Sequence, residues 1–149
     1  MAQGSFSAQI DAWVAETNGR VEAVFKQSAQ EVIEDMQAPV GKGGNMPIDT
    51  GFLRASLQVN LSGPVPPSRD NPYTKPNSAP AWGDSEAALS IAGAEIGDTI
   101  YATYGANYAC HVEYGAKGRT GRGFVRLAAM KWQAIVTRVS ARLRARASR

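Results

Sequence analysis

The strongest constraint on the fold is an apolar stripe through residues 7–37. Its members recur mostly at three- and four-residue steps, as one face of an amphipathic α-helix requires. They are Phe6, Ile10, Trp13, Val14, Val21, Val24, Phe25, Ile33 and Met36. Ala38-Pro39 is expected to end this helix, because proline cannot continue the hydrogen-bond ladder. Asn18-Gly19 weakens the middle of the helix and could kink or split it.

A second stripe predicts a helix from Phe124 to about Arg146. Its apolar members are Phe124, Leu127, Ala128, Ile135, Val139 and Leu143, with Trp132 nearby. Between the two helices, residues 58–61, 87–92 and 96–104 are predicted strands. This order predicts an α+β fold, in which a small antiparallel sheet of three or four strands packs against the long N-terminal helix and the basic C-terminal helix.

Length and composition indicate one globular domain over residues 1–149. The chain is 44% apolar and 19% charged, which is typical of a folded protein. Flexible loops are predicted at about 40–48, which is glycine-rich, at 63–83, which holds six of the eight prolines, and at 115–123, where glycine and basic residues alternate. A basic tail is expected after the last helix.

The sequence offers little for catalysis or for a cofactor. Cys110 is the single cysteine, which excludes an internal disulfide and a cysteine-based zinc site, and His111 is the single histidine. If this segment is a strand, the two side chains point to opposite faces and cannot act together. Residues 115–123 lack the Gly-Lys-Ser/Thr ending of a phosphate loop. We therefore expect no catalytic residue, metal site or cofactor, although a pocket containing Cys110 or His111 would favour an enzyme.

No targeting or membrane segment is recognisable. The N-terminus lacks the charged and apolar regions of a secretory signal. No run approaches the roughly 18–20 apolar residues of a membrane helix. A cytoplasmic site of synthesis and no membrane contact are expected.

The net charge of +3 conceals a marked asymmetry. Residues 114–149 contain ten basic residues and no acidic one, whereas residues 1–113 carry a balance of −7. Such polarity suits an anionic partner or the acidic part of a neighbouring copy, and a solvated helix face with a basic tail is the simpler interpretation. Along the last helix, four arginines recur at four-, four- and three-residue steps and could contact DNA phosphates or an acidic partner: Arg138, Arg142, Arg146 and Arg149. A nonspecific DNA-binding protein is therefore the alternative function.

Three segments, in this order, resemble one known family. The first helix ends in Ala38–Val40, with the sequence APV. Residues Asp49–Leu57, DTGFLRASL, resemble the signature D-T-G-x-L-R-x-S-I. Residues Tyr108–Gly115, YACHVEYG, resemble Y-A-x-x-V-E-F-G, and a basic loop and the phenylalanine-led helix at Phe124–Ala128 follow. Over roughly residues 20–145 the chain is similar to the head–tail joining, or tail-completion (neck), proteins of long-tailed bacteriophages and related prophages.

The chain departs from this pattern in its loops. Residues 41–48 are inserted between the APV and DTG segments, residues 63–83 form an enlarged loop, and Gly123 stands where the family commonly has proline. We expect these changes to affect contacts with neighbours more than the fold.

The resemblance implies a non-enzymatic structural protein of the virion, located at the head–tail junction after assembly in the host cytoplasm. It would form or complete a ring, expected to be hexameric, at the neck or tail top, with DNA passing through the lumen. The implied partners are copies of itself, the head connector or stopper, and tail terminator or tail tube proteins. The acidic first helix and the basic last helix could supply the unlike patches of a heterologous ring interface. Arginines facing the lumen would contact DNA without reading its sequence.

The resemblance also selects residues for an interface or a structural motif. They are Asp49, Thr50, Gly51, Leu53, Arg54, Tyr108, Glu113, Gly115, Lys117, Arg119, Arg122, Phe124 and Arg126.

Individual roles within this set are hypotheses. Asp49 and Thr50 are expected to cap a short helical turn, Gly51 to make a turn that excludes large side chains, and Leu53 to enter the core. Arg54 would contact a partner or pair with a carboxylate such as Glu113. Local capping and packing alone would also explain the first signature. For Glu113 and the basic loop (Lys117, Arg119 and Arg122) we favour an interface.

Overall fold

The computed structural model describes residues 5–148 and has the predicted α+β architecture, with a long helix near each end. Helix α1, Phe6–Gln37, begins where the Ser5 hydroxyl oxygen accepts the Ala8 N–H at 3.2 Å, as an N-cap does. It ends at extended Ala38, directly before Pro39, as predicted. The helix continues through Asn18-Gly19 without a break, because one glycine costs only about 1 kcal/mol relative to alanine.

The segment after α1 folds back on the helix end. A 3₁₀ turn, Val40–Lys42, is closed by the Gly43 N–H, which donates to the Val40 carbonyl at 3.1 Å. Across the loop, the Val40 N–H donates to the Met46 carbonyl at 3.0 Å. The Met46 side chain is fully buried. A single-turn helix, α2, covers Phe52–Ala55 and starts from Gly51, whose φ of 88° is a left-handed conformation that favours glycine.

Four strands are present in the described residues, in two separate two-stranded antiparallel sheets rather than one sheet. Strand β1, Leu57–Asn60, pairs with β2, Tyr101–Tyr104, with Leu57 opposite Tyr104. Strands β3, Gly115–Ala116, and β4, Arg119–Thr120, form a small hairpin. The hairpin turn is tight because Lys117 and Gly118 have φ values of 51° and 78°.

The middle of the chain contains more helix than the sequence predicted. Residues 87–92 are not a strand, since they belong to helix α3, Ser85–Ala92, which buries Ala87 and Ile91 one turn apart. The predicted strand at 96–104 is shortened to β2, because Asp98 closes a turn by accepting the Glu95 N–H at 2.8 Å. Helix α4, Ala109–Tyr114, follows β2.

The predicted last helix is divided in two. Helix α5, Arg126–Met130, and helix α6, Trp132–Ala147, meet at Lys131. Helix α6 runs antiparallel to α1, because Lys131 contacts Asp35 while Arg142 contacts Gln27 and Glu31. Its buried side chains are Ile135 and Val139.

The core lies between the C-terminal half of α1, the β1–β2 sheet and helix α5. Phe124 and Tyr104 meet there edge to face, with ring centroids 5.0 Å apart. Its other buried members include Ile33, Met36, Met46, Phe52, Leu53, Leu57, Ile91 and Ala128. This placement leaves the N-terminal half of α1 outside the core.

Candidate interaction surfaces

The first signature segment joins the short helix to the proline-rich loop. Thr50 is buried, and its hydroxyl oxygen accepts the Phe52 N–H at 3.3 Å and the Asn71 side-chain N–H at 3.0 Å. The Asp49 carbonyl accepts the Asn77 N–H at 2.8 Å. Leu53 lies in the core. These contacts hold a turn and attach the loop at 63–83 to the body of the protein.

The second signature segment packs beside the first. The Tyr108 ring lies 6.5 Å from that of Phe52, and burial raises the pKa of the Tyr108 hydroxyl. The structure thus brings together two segments that are about fifty residues apart in the chain.

The proposed pairing of Arg54 with Glu113 is wrong. The Arg54 Nε–H donates to the Gln37 carbonyl at 2.9 Å, and its guanidinium lies 5.6 Å from the centre of the Trp82 ring. Glu113 is bound instead by Arg126, whose Nε–H donates to its carboxylate at 3.0 Å. Arg126 takes this place because it lies in the first turn of α5, directly against α4.

Glu113 is buried within the chain. It is 5% exposed, and its carboxylate also accepts the backbone N–H groups of Val125 at 3.0 Å and Arg126 at 2.8 Å. A carboxylate in this position satisfies the first N–H groups of a helix and complements its dipole. Glu113 therefore fixes where α5 begins.

The β3–β4 hairpin presents the basic loop to solvent. Lys117, Arg119 and Arg122 are exposed, and none has an ion-pair partner within residues 5–148. Only glycine fits at Gly115 and Gly121 in the base of the hairpin, because a Cβ on either residue would collide with the backbone opposite. The hairpin thus places three positively charged side chains close together in solvent.

The arginines of the last helix divide into two groups. Arg138 and Arg142 both donate to Glu31 on α1, at 2.7 and 2.5 Å. These hydrogen bonds, Arg138 first, lower the pKa of the Glu31 carboxyl. Arg146 is exposed, and Arg149 lies outside the described residues. The unlike charges of the two long helices, which we expected to join different copies, are therefore matched within one chain.

Several large apolar side chains at the N-terminal end of α1 are exposed to solvent. Every residue from 6 to 15 is exposed, and we call this part the projecting segment. Its large apolar side chains are Phe6, Ile10, Trp13 and Val14, with Phe6 79% and Trp13 63% exposed. Ten helical residues extend about 15 Å. Exposed apolar residues clustered on one face indicate an interaction site.

An apolar groove of about 720 Å³ lies between α1 and α6, next to the projecting segment. We call it the α1–α6 groove. Its apolar lining includes Val21, Val24, Phe25, Trp132, Val136 and Leu143, and its charged residues are Glu16, Arg20 and Arg144. The sequence stripes included Val21, Val24, Phe25 and Leu143, with Trp132 placed nearby, but Val136 was in neither stripe.

A second cleft, of about 400 Å³, lies between the proline-rich loop and α3. Trp82, Tyr73 and Arg69 line it. Cys110 and His111 line neither cavity, and both are exposed on α4, a helix rather than the strand assumed above.

Comparison with known proteins identified no similar protein. No protein-family model, curated protein or solved structure matches this chain. None of the helices within residues 5–148 combines the length and apolar character needed to cross a bilayer.

Proposed function

We propose that this chain is a structural virion protein of a tailed bacteriophage that forms or completes a ring at the head–tail junction. Two lines support the proposal. One is the resemblance of three ordered segments to neck and tail-completion proteins. The other, which carries most weight, is the projecting segment, a helix end whose large apolar side chains are exposed to solvent.

The surfaces suit an assembly protein. In a ring, each copy contacts its neighbours through two unlike patches, and the projecting segment and the α1–α6 groove are two such patches. The free charges of the basic loop offer a further surface for DNA in the lumen or for an acidic neck or tail protein. On this proposal the protein is not an enzyme and needs no cofactor.

Genetic deletion tests the function directly. In a phage or induced prophage that encodes this chain, we expect deletion to yield DNA-filled heads and separate tails in electron micrographs of the lysate. Supplying the intact gene on a plasmid should restore joined particles. Joined, infectious virions in the deletion lysate would refute a role at the junction.

The assembly state of the purified protein gives a second test. Light scattering with in-line size exclusion should find a closed species near six subunits at high protein concentration, about 95 kDa from 15.8 kDa per chain. A ring that forms only on a template would leave the isolated chain monomeric, so the deletion phenotype decides the function.

A further inference from the structure

We propose that the projecting segment of one copy docks into the α1–α6 groove of the next copy. This inference deepens the proposed function and rests on it for closure of the contact into a ring. Both surfaces are apolar, and among the described residues the large apolar side chains of the segment and the groove itself are open to solvent. Docking fills the groove with the segment of a second copy, and it covers that segment with the groove.

The groove cannot be filled by the projecting segment of its own chain. The two lie in one continuous helix, since α1 is unbroken from Phe6 to Gln37, and Val21, Val24 and Phe25 form one wall of the groove. A straight helix cannot fold back on itself without a break. Any copy of the segment that enters the groove must come from another molecule.

The charges of the two surfaces are complementary. Asp11 is the charged residue of the projecting segment and has no ion-pair partner in the part of the chain described. Of the described charged residues that line the groove, Glu16 and Arg20 pair with each other, which leaves Arg144 as its unpaired charge. Arg146 follows on α6, and neither Arg144 nor Arg146 has an ion-pair partner among the described residues. An acidic segment beside a basic groove edge favours this docking and opposes groove-to-groove contact.

The area that one docked segment can bury limits the strength of a single contact. Aromatic side chains such as Phe6 and Trp13 bury about 150–250 Å² each. With Ile10 and Val14 added, one docked segment remains below the roughly 800 Å² per partner of a stable interface. A single contact is therefore weak. A closed ring is stabilised because each copy both donates a segment and accepts one.

Cysteine cross-linking tests the contact. In a Cys110→Ser background, Trp13→Cys is made in one preparation and Val136→Cys, inside the groove, in another. After mixing and mild oxidation, we expect a disulfide-linked dimer of the two variants. The matched control is Ala12→Cys, which is exposed on the opposite face of α1. Its mixture with Val136→Cys should give several-fold less dimer.

Two results would overturn the inference. One is equal cross-linking of Trp13→Cys and Ala12→Cys to Val136→Cys. The other is a Trp13→Cys preparation that forms dimers alone as readily as in the mixture, because this would show two α1 ends packed on each other.

A variant without cysteine chemistry tests the same point. Trp13→Glu should shift any oligomer of the chain toward monomer and leave the circular dichroism spectrum unchanged, whereas Ala12→Glu should not shift it. An oligomer that tolerates Trp13→Glu would contradict the docking.

The proposed function and the proposed contact can be refuted independently. Unjoined heads and tails on deletion, combined with no selective cross-link, would keep the function and reject the contact. A selective cross-link combined with joined virions on deletion would keep the contact and reject the function.

Discussion

Buried Glu113 accepts four hydrogen bonds from Val125 and Arg126. Its carboxylate accepts two backbone N–H groups and the Arg126 Nε–H, and its carbonyl accepts a second guanidinium N–H of Arg126 at 2.9 Å. Glu113→Gln would set an amide N–H against these donors. We expect a loss of roughly 1–3 kcal/mol in the free energy of unfolding, measured by urea denaturation. The control Glu16→Gln, in the exposed pair with Arg20, should cost under about 0.5 kcal/mol. Equal effects would contradict the capping role.

Tyr104 and Gln37 form a buried polar contact between β2 and α1. Gln37 is 1% exposed, and its amide oxygen accepts the Tyr104 hydroxyl at 2.6 Å. Tyr104→Phe leaves that oxygen without its donor, so we expect a loss of about 1–3 kcal/mol in urea denaturation. Tyr114→Phe, on an exposed ring, should have little effect.

Tyr104 should also make the stability of the protein depend on pH. Burial raises the pKa of the Tyr104 hydroxyl far above its ordinary value of 10. The unfolded chain therefore releases this proton at lower pH than the folded chain does. Its contribution to stability is complete below pH 10 and falls as the pH rises above 10. The slope of unfolding free energy against pH above 10 should be shallower in Tyr104→Phe than in the native protein. An unchanged slope would show that Tyr104 ionises equally in both states.

At the scale of elements, Glu31 connects the two long helices. Arg138 and Arg142 lower its pKa, so this stabilisation is present above pH 4.5, the ordinary value, and is lost as the pH falls through the lower folded value. Because both arginines are substantially exposed, we expect Glu31→Gln to cost only about 0.5–1.5 kcal/mol at pH 7. The variant should also lose less stability than the native protein between pH 7 and pH 3. Thermal unfolding at several pH values measures both effects, with Glu34→Gln on the same helix as the control.

The elements that could be predicted are those whose pattern extends over several turns. Helix α1 was predicted to within a residue, because its stripe and Pro39 leave little choice. Helix α3 was predicted as a strand, because a short alanine-rich run fits either structure. Its packing against β1, where the Ser90 hydroxyl donates to the Val59 carbonyl at 2.8 Å, involves a residue thirty-one positions away. Local sequence does not contain that information.

The candidate surfaces were only partly predictable, for a related reason. An apolar stripe shows that a helix face will be covered, but not by what. The unequal lengths of the two predicted helices were the available signal that the first would extend beyond the second. The two signature segments do lie together, yet Arg126 rather than Arg54 binds Glu113, because orientation within a packed core depends on all neighbours.

At the scale of the whole molecule, the arrangement of positive charge bears on the choice between a ring component and a DNA-binding protein that uses its last helix. Arg138 and Arg142 are held by Glu31, whereas Lys117, Arg119 and Arg122 face solvent. We therefore expect the basic loop to dominate any contact with DNA. Replacing its three basic residues by alanine should weaken binding to a random duplex and reduce the salt slope, log K against log salt, by about 2–3. Fluorescence anisotropy at salt concentrations from about 50 to about 200 mM measures both quantities.

The matched variant in that experiment carries Arg138→Gln and Arg142→Gln. It removes positive charge from α6 but leaves the basic loop intact, and circular dichroism establishes that it folds. Because these two guanidinium groups already neutralise Glu31, we expect a smaller loss of DNA affinity than in the loop variant. If the α6 variant instead lost the greater part of its affinity and salt slope, the C-terminal helix would be the DNA surface. That result would favour nonspecific DNA binding over ring assembly. It would mean that the α6 arginines of the free chain release Glu31 and bind phosphates instead.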